Sequence, residues 1–447
     1  MDIAPFKARR KRLLARMEAG IAIIPTASEK LRNRDTSYPY RADSYFHYLA
    51  GFPEPDAVLV LIAGRGDDVP KSILFCREKD PDREVWDGFR FGPEAAREIF
   101  GLDEAHPIGL LDEKLAELIA NQPALWFSMG HDAAWDAHVM AAVNAVRAQA
   151  RTGKRAPAAI HDVRGVLDEM RLVKDAHEIA LMRRAADISA DAHVRAMRAA
   201  APGRFEYEIE AELIHEFRRR GSQHPAYPPI VASGPSACVL HYVDNSQRLR
   251  DGDLLLIDAG CEVDGYAADI TRTFPVNGRF TGAQRDVYEL ILAAQEAAIR
   301  HVKPGATFRD PHDAAVRVLT QGMIDLGLLQ GSLDGVLEAK GYKRFYMHRT
   351  GHWLGLDVHD AGLYREDGDG DAWRTLVPGM TLTVEPGCYI RPAADVPEAF
   401  HNIGIRIEDD ALVTESGCEI LTEAAPKGIA DIEAEMAEGR GSLLHKF

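Results

Sequence analysis

The sequence is poor in cysteine, in long apolar runs and in net positive charge, and each shortage argues against a class of function. Its five cysteines, Cys76, Cys238, Cys261, Cys388 and Cys418, are an odd set with no C-x-x-C spacing. With no signal peptide to accompany them, they predict reduced thiols in the cytoplasm rather than a disulfide framework. The longest apolar runs, such as Ala57–Ala63, fall far below the roughly 18 residues that span a bilayer. With 53 basic against 69 acidic residues, the net charge is −16, which disfavours nucleic acid and anionic membranes as partners because both need a basic surface. No low-complexity tract is present, and 46% hydrophobic with 27% charged residues is a globular composition. One basic cluster, Lys7 with Arg9, Arg10, Lys11 and Arg12, is followed by no apolar signal core. It reads as the solvated face of a helix resting on Leu13, Leu14 and Met17.

At 447 residues the chain is too long for one ordinary core, so two domains are expected, 1–172 and 173–447. The leading part reads as a helix over 1–20, a strand at 21–25, and a hairpin of 57–63 with 72–76 around the turn-rich GRGDDVPK. Helices at 93–100, 110–119 and 132–151 and a strand near 125–128 complete a mixed α/β domain. It shows no complete catalytic constellation. Tyr38, Trp86 and Arg90 are candidates for lining a shared cleft, although isolated aromatics are more often packing. Asp175-Ala-His-Glu178 has capping-box spacing and opens a helix to about residue 200, and another covers 207–220. A strand at 230–232 and helices at 284–302 and 310–326 follow, and after Met347 the chain turns β-rich. Helices gathered on one side of a strongly bent antiparallel sheet, an α+β arrangement, is the expected architecture of the second domain.

That domain is organised around 254–274, LLLIDAGCEVDGYAADITRTF. Residues 254–257 read as a buried strand ending in Asp258, and Asp264-Gly265 is a hairpin-turn signal. A second strand is expected through Asp269 to Phe274. The two aspartates are nearly equidistant from the turn, so closing the hairpin draws their carboxylates together, which is unfavourable unless a positive group lies between them. The frame recurs: GDLLLIDAGC from Gly252 and GMTLTVEPGC from Gly379 place Asp258 and Glu385 alike. Ile403–Glu408 then reads as an alternating strand with Arg406 and Glu408 on one face. Each copy presents two carboxylates on a strand pair, as a duplicated half would.

A third stretch, HRTGHWLGLDVHD from His348, sets His348, His352 and His359 within twelve residues. Beside four carboxylates that end apolar runs, where unpaired charge is hard to bury, these histidines make a metal site the better reading. Asp258, Asp269, Glu385 and Glu408 carry four negative charges, which two divalent cations balance. One imidazole with four carboxylates is an oxygen-rich set that suits Mn²⁺ and tolerates Co²⁺ or Zn²⁺. Two such ions about 3.5–4 Å apart would hold a bridging water as hydroxide and polarise a carbonyl under attack.

The ordered set Asp258, Asp269, His352, Glu385, Glu408 resembles the five ligands of the pita-bread dinuclear metallopeptidases. Within that family, IVASGPSACVLHY, HRTGHWLGLDVHD, VEPGCYI and GIRIEDD are similar to the aminopeptidase P branch, as is YPYRADSYFHYLAGFPEPDAVLVL in the leading domain. The resemblance spans nearly the whole chain, with no departure at a ligand position. It implies a pita-bread catalytic domain, a curved antiparallel sheet covered by helices, behind a smaller mixed α/β domain. It also implies metal-dependent cleavage between an N-terminal residue and a following proline. By position, Asp258 would chelate one ion, Asp269 and Glu408 would bridge both, and His352 with Glu385 would complete the other. His241 and His359 would hydrogen-bond the substrate and the developing oxyanion, His348 would help to hold the substrate near the leaving proline, and Glu385 would double as proton shuttle. Arg406 would orient the bridging carboxylates by charge-assisted hydrogen bonds. The ordinary alternative for His241 is a structural histidine.

Two other readings stay open: a prolidase confined to Xaa-Pro dipeptides, and a peptide-binding module on the same fold that has lost catalysis. Methionine aminopeptidase fits less well, because it generally lacks so large a leading domain. Family members commonly associate through that domain, so a homodimer or homotetramer is expected.

Overall fold

The computed structural model describes residues 2–64, 69–366 and 370–444, so that residues 65–68 of the expected GRGDDVPK turn lie outside it. The chain divides into two compact units, Met1–Met170 and Arg171–Phe447.

The first unit contains α1 (Ala4–Met17), β1 (Gly20–Pro25), α2 (Ser44–Ala50), β2 (Val58–Ala63), β3 (Lys71–Cys76), α3 (Pro81–Asp87), α4 (Gly92–Ile99), β4 (Glu104–Pro107), α5 (Leu111–Ile119), β5 (Ala124–Phe127), α6 (Ala133–Ala148) and β6 (Ala159–Asp162), with α7 (Arg164–Leu172) running to the division. The strands form one sheet in the order β4-β3-β2-β1-β5-β6. Antiparallel pairs join β1 to β2 and β2 to β3, while β5 runs parallel to both β1 and β6. The central strands GIAIIP and VLVLIA are almost continuously apolar because the sheet is buried on both faces. Ile21, Val58, Val60, Phe75 and Leu125 pack there with Leu115 and Val143 from α5 and α6.

The second unit opens with α8 (Ala176–Ala199), whose first turn carries the expected capping box. Asp175 accepts from the Glu178 N–H, and Glu178 accepts from the Asp175 N–H. After α9 (Glu206–Arg219), the short strands β7 (His224–Pro225) and β8 (Ile230–Ser233) lead into β9 (Leu254–Asp258), β10 (Cys261–Val263), β11 (Tyr266–Ala267) and β12 (Thr271–Pro275). Helices α10 (Gly282–Ile299), α11 (Asp310–Asp325) and α12 (Leu333–Glu338) follow. The chain then forms β13 (Thr381–Val384), β14 (Gly387–Ile390), β15 (Ile403–Arg406), β16 (Asp409–Val413), β17 (Cys418–Ile420) and α13 (Ile429–Leu444). The two halves have one nested plan. In the first, β9 pairs with β12 around the β10–β11 hairpin; in the second, β13 pairs with β16 around β14–β15. A bridge between Thr271 and Glu408 ties the halves together.

Four expectations need correction. The basic cluster of α1 is not wholly a solvated face: Arg9 and Arg10 are buried, and Arg10 donates to the Leu49, Phe100 and Gly101 carbonyls. Asp269 lies outside a strand: the hairpin at Asp264-Gly265 is the short β10–β11 pair, and residues 268–270 are an irregular return before β12. The Ile403 strand stops at Arg406, because the next N–H groups change partners. Ile407 donates to the Pro386 carbonyl and Glu408 to the Thr271 carbonyl, so Arg406 and Glu408 do not share one strand face. The chain after Met347 is mostly turns and isolated bridges until β13 begins.

The return at 268–270 is packed against Gly260, where an added Cβ would lie 1.7 Å from the Ala268 carbonyl oxygen. No side chain can be the one that yields, since the obstacle is backbone. Gly260→Ala is therefore expected to lower the stability of the second unit by roughly 4 kcal/mol or more, the range of exceptional single substitutions. Calorimetry checks this, and a melting temperature within a degree or two of the parent would contradict it.

Candidate metal centre

Each half supplies its acids at the ends of its strands. Asp258 is the last residue of β9, opposite Thr271 in the β9–β12 ladder. Asp269 sits in the irregular return, held by Ala259 N–H to the Ile270 carbonyl and by its own N–H to Asp410 Oδ2, 3.0 Å each. Glu385 follows β13 and donates its N–H to the Thr350 carbonyl at 2.8 Å, while Glu408 precedes β16 and accepts from the Thr271 hydroxyl at 2.6 Å. The backbone N–H of His352 is fixed by the Thr383 hydroxyl at 3.1 Å, and Nδ1 lies 3.0 Å from the Trp353 carbonyl. That contact leaves Nε2 facing Asp269 at 3.4 Å and Glu385 at 3.9 Å. Ligand atoms of Asp269, His352 and Glu408 lie within 4.8 Å of one another. All five lie on one cavity of about 640 Å³, together with His241, His348, His359 and Arg406.

The electrostatics of this cluster show what it lacks. Burial pushes Asp258 up, Glu408 well above its ordinary range and Glu385 up to about 7, with neighbouring carboxylates adding to the effect in each case. Burial also raises Asp269, but its hydrogen bond to His352 and the His352 charge outweigh that and hold it low. Burial disfavours the His352 cation too, yet Asp269 and Glu385 lift it to about 9. Acids crowded tightly enough to hold protons are a site short of positive charge, and carboxylate oxygens with one imidazole are the donors that divalent cations accept. The residues therefore fit a metal.

Arg406 is the permanent cation of the cluster. The structure corrects its expected partners: Nη2 donates to Asp258 at 2.5 Å, Nε to the Thr271 hydroxyl at 3.0 Å and Nη1 to the Tyr389 hydroxyl at 2.9 Å. It reaches Glu408 only through Thr271. Tyr227, which the motifs did not reveal, donates towards both aspartates, with its hydroxyl 2.7 Å from Asp258 and 2.5 Å from Asp269. Its AYPP setting carries no chemical signature, so only the geometry exposes it. His348 is held between the Arg349 carbonyl at 2.7 Å and the Tyr389 hydroxyl at 2.8 Å, and burial lowers it to about 3. The His359 ring stands edge-on to His352 at 4.4 Å, and both His359 and His241 are exposed on the cavity wall. Beside His359, Asp360 is clamped by Arg171 at 2.6 Å and Lys174 at 3.0 Å, a buried ion triad that anchors the histidine-bearing loop. Tyr38 and Trp86 are exposed in the first unit, and Arg90 pairs there with Asp87.

Acids at the strand ends of both halves and one histidine from an irregular loop meet on a single cavity as a candidate metal centre, and the family comparison makes the chain a metal-dependent hydrolase. Residues 180–415 match Metallopeptidase family M24, to which the chain belongs. Residues 6–126 match the aminopeptidase P N-terminal domain, and the chain is a metal-dependent aminopeptidase with the pita-bread fold expected from its motifs. It is 46% identical to an Xaa-Pro aminopeptidase of Escherichia coli K12, over 97% of this chain and 98% of that one. The solved Pseudomonas aeruginosa aminopeptidase PepP superposes with a TM-score of 0.96 at 49% identity, covering 99% of both chains. Escherichia coli aminopeptidase P in complex with substrate gives 0.95 at 45% identity, again over 99% of each chain.

Behind the cluster, His193 of α8 is fully buried, with Nε2 2.9 Å from the Ala259 carbonyl, and burial depresses it to about 4. An unfolded histidine titrates near 6.5, so as pH falls below that value the unfolded chain takes up the proton first. This contribution is complete above about pH 6.5 and is lost as pH falls to about 4. The stability of the parent relative to His193→Gln should fall by on the order of 3 kcal/mol across that window. Denaturation at a series of pH values measures it, and a pH-independent difference would contradict it.

Proposed function

We propose that this aminopeptidase removes the N-terminal residue from peptides whose second residue is proline, using two divalent cations, manganese foremost with cobalt or zinc as substitutes. The observation that carries the reading is the convergence of Asp258, Asp269, His352, Glu385 and Glu408 on one cavity, in a chain whose full-length relatives are named for Xaa-Pro cleavage. A zinc-substituted form of the Escherichia coli enzyme bound to product supports metal replacement. Asp258 would hold one ion, Asp269 and Glu408 would serve both, and His352 with Glu385 would complete the other. When bound, such ions supply an acidified water for the attack and polarise the scissile carbonyl.

The remaining work belongs to the side chains. His241 and His359, on the open wall of the cavity, donate to the substrate carbonyl and the oxygen that gains charge. His348 lines the leaving side, and Glu385 carries a proton from the attacking water to the proline nitrogen. That nitrogen has no hydrogen to offer before cleavage and its ring fixes φ, so the site must grip ring and carbonyl rather than use strand-like pairing. Arg406 opposes the protonation of Asp258 that burial favours, and aims its carboxylate. The catalytic domain starts at 173, ahead of the α8 capping box, and the setting is cytoplasmic. A homodimer or homotetramer is supported by the apolar face that α3 and the following loop leave exposed, Val85, Trp86 and Phe89.

Manganese-loaded protein is expected to cleave Ala-Pro-Ala, to leave Ala-Ala-Ala intact, and to lose activity to a chelator and regain it with Mn²⁺. Hydrolysis of Ala-Pro alone would make it a prolidase; full activity in chelator would defeat the mechanism. Glu408→Ala should abolish turnover and reduce bound metal, as read by elemental analysis.

A further inference from the structure

A second cavity, of about 490 Å³, adjoins the first, and the two share His348, Arg349 and Gly351 in their walls. It has the opposite sign to the molecule. In a chain of net charge −16, its lining brings Arg309, Lys340, Lys343 and Arg349 together against a single carboxylate, Asp313. Asp313 is already engaged by Arg309 at 2.9 Å. Lys340, Lys343 and Arg349 have no ion-pair or side-chain hydrogen-bond partner among the described residues. The Arg349 guanidinium stands at the junction. It lies 5.9 Å from the ring of Tyr364, which lines the metal-centre cavity, and 5.8 Å from Trp373, which lines the second.

Three uncompensated cations in a concavity walled partly by aromatic side chains concentrate field and attract an anion. Arginine in particular offers a fork that fits a carboxylate. The cavity begins at His348, whose Nδ1 is 3.8 Å from Glu385, on the side of the metal centre to which the reading above assigns the leaving portion of a peptide. An extended peptide advances about 3.3–3.6 Å per residue and reaches this wall within a few residues of the scissile bond. We propose that the basic cavity receives the C-terminal carboxylate of peptides that continue past proline, so that oligopeptides with a free acid end at a set distance are preferred. The proposal rests on the proline-aminopeptidase reading above and adds to it a second point of recognition.

The test compares Ala-Pro peptides extended by one to five glycines, each as free acid and as C-terminal amide, with the manganese-loaded protein at fixed ionic strength. The acid-to-amide ratio of kcat/KM should reach roughly tenfold at one length and shrink as salt is raised. Lys340→Ala/Lys343→Ala should bring that ratio close to one while leaving amide peptides within about twofold of the parent, and Lys343→Glu should make acids the poorer substrates. Inorganic phosphate should inhibit cleavage of the acids and spare the amides. A ratio near one at every length, a preference that both variants retain, or equal inhibition of acids and amides by phosphate would each overturn the proposal. Failure to cleave any proline peptide, amides included, would instead remove the reading on which it rests.

Discussion

Four acids on one cavity, three buried and Glu385 partly so, with Arg406 as their only permanent counter-charge among the described residues, are the constraint to which the catalytic unit is built. Placing that much like charge out of water is unfavourable unless every oxygen is either bonded or ready for a cation. The surroundings supply those bonds unevenly. Asp258 has Arg406 and Tyr227, Asp269 has Tyr227 and His352, and Glu408 has the Thr271 hydroxyl. Glu385 receives the least, with only His348 at 3.8 Å and His352 at 3.9 Å beside it, as the proposed proton shuttle requires. The uneven distribution gives chemically similar carboxylates different surroundings, as the separate roles proposed for them need.

Around that centre a ring of largely buried ionic contacts holds the backbone rather than the ligands. Arg272 donates to the carbonyls of Thr271, Glu408 and Ala425 and pairs with Asp409 at 2.7 Å. Asp409 also receives Lys427 at 2.6 Å and the Thr422 hydroxyl at 2.8 Å. These bonds pin the point where β12 of one half meets the start of β16 of the other, so the position of Glu408 is set by groups that never face the cavity. The Arg171–Asp360–Lys174 triad does the same for the loop bearing His359.

Much of this was legible in the sequence, because the ligands sit in short frames whose local chemistry is self-declaring. An apolar run stopped by an acid and then Gly gave β9 with Asp258, and the same frame gave β13 with Glu385. The capping box at Asp175 marked the start of α8. What escaped depends on contacts between distant segments. Tyr227 precedes two prolines and looks like loop, and its value comes only from meeting two aspartates across the fold. Glu408 continues the alternation of Ile403 in the sequence, yet its N–H finds Thr271 and so leaves the strand. Helix α13 was obscured by Gly439, which is there because an added Cβ would strike the Arg198 backbone of α8 at 2.3 Å. Helix α2, rich in aromatics that favour strands, was missed although Asp43 caps it and Gly51 closes it in the left-handed conformation.

The nested plan of the two halves has a temporal side. Asp258 and its guanidinium partner Arg406 are separated by 148 positions in the chain, an interval that takes roughly 7–30 s to synthesise at ordinary elongation rates. Throughout that interval the growing polypeptide carries Asp258 and Asp269 with neither Arg406 nor Glu408 yet made, so the first half cannot close dry and must wait, hydrated, for the second. The grouping of Asp269, His352 and Glu408 is complete only once residue 408 has been made, so a product truncated before it lacks part of the metal centre.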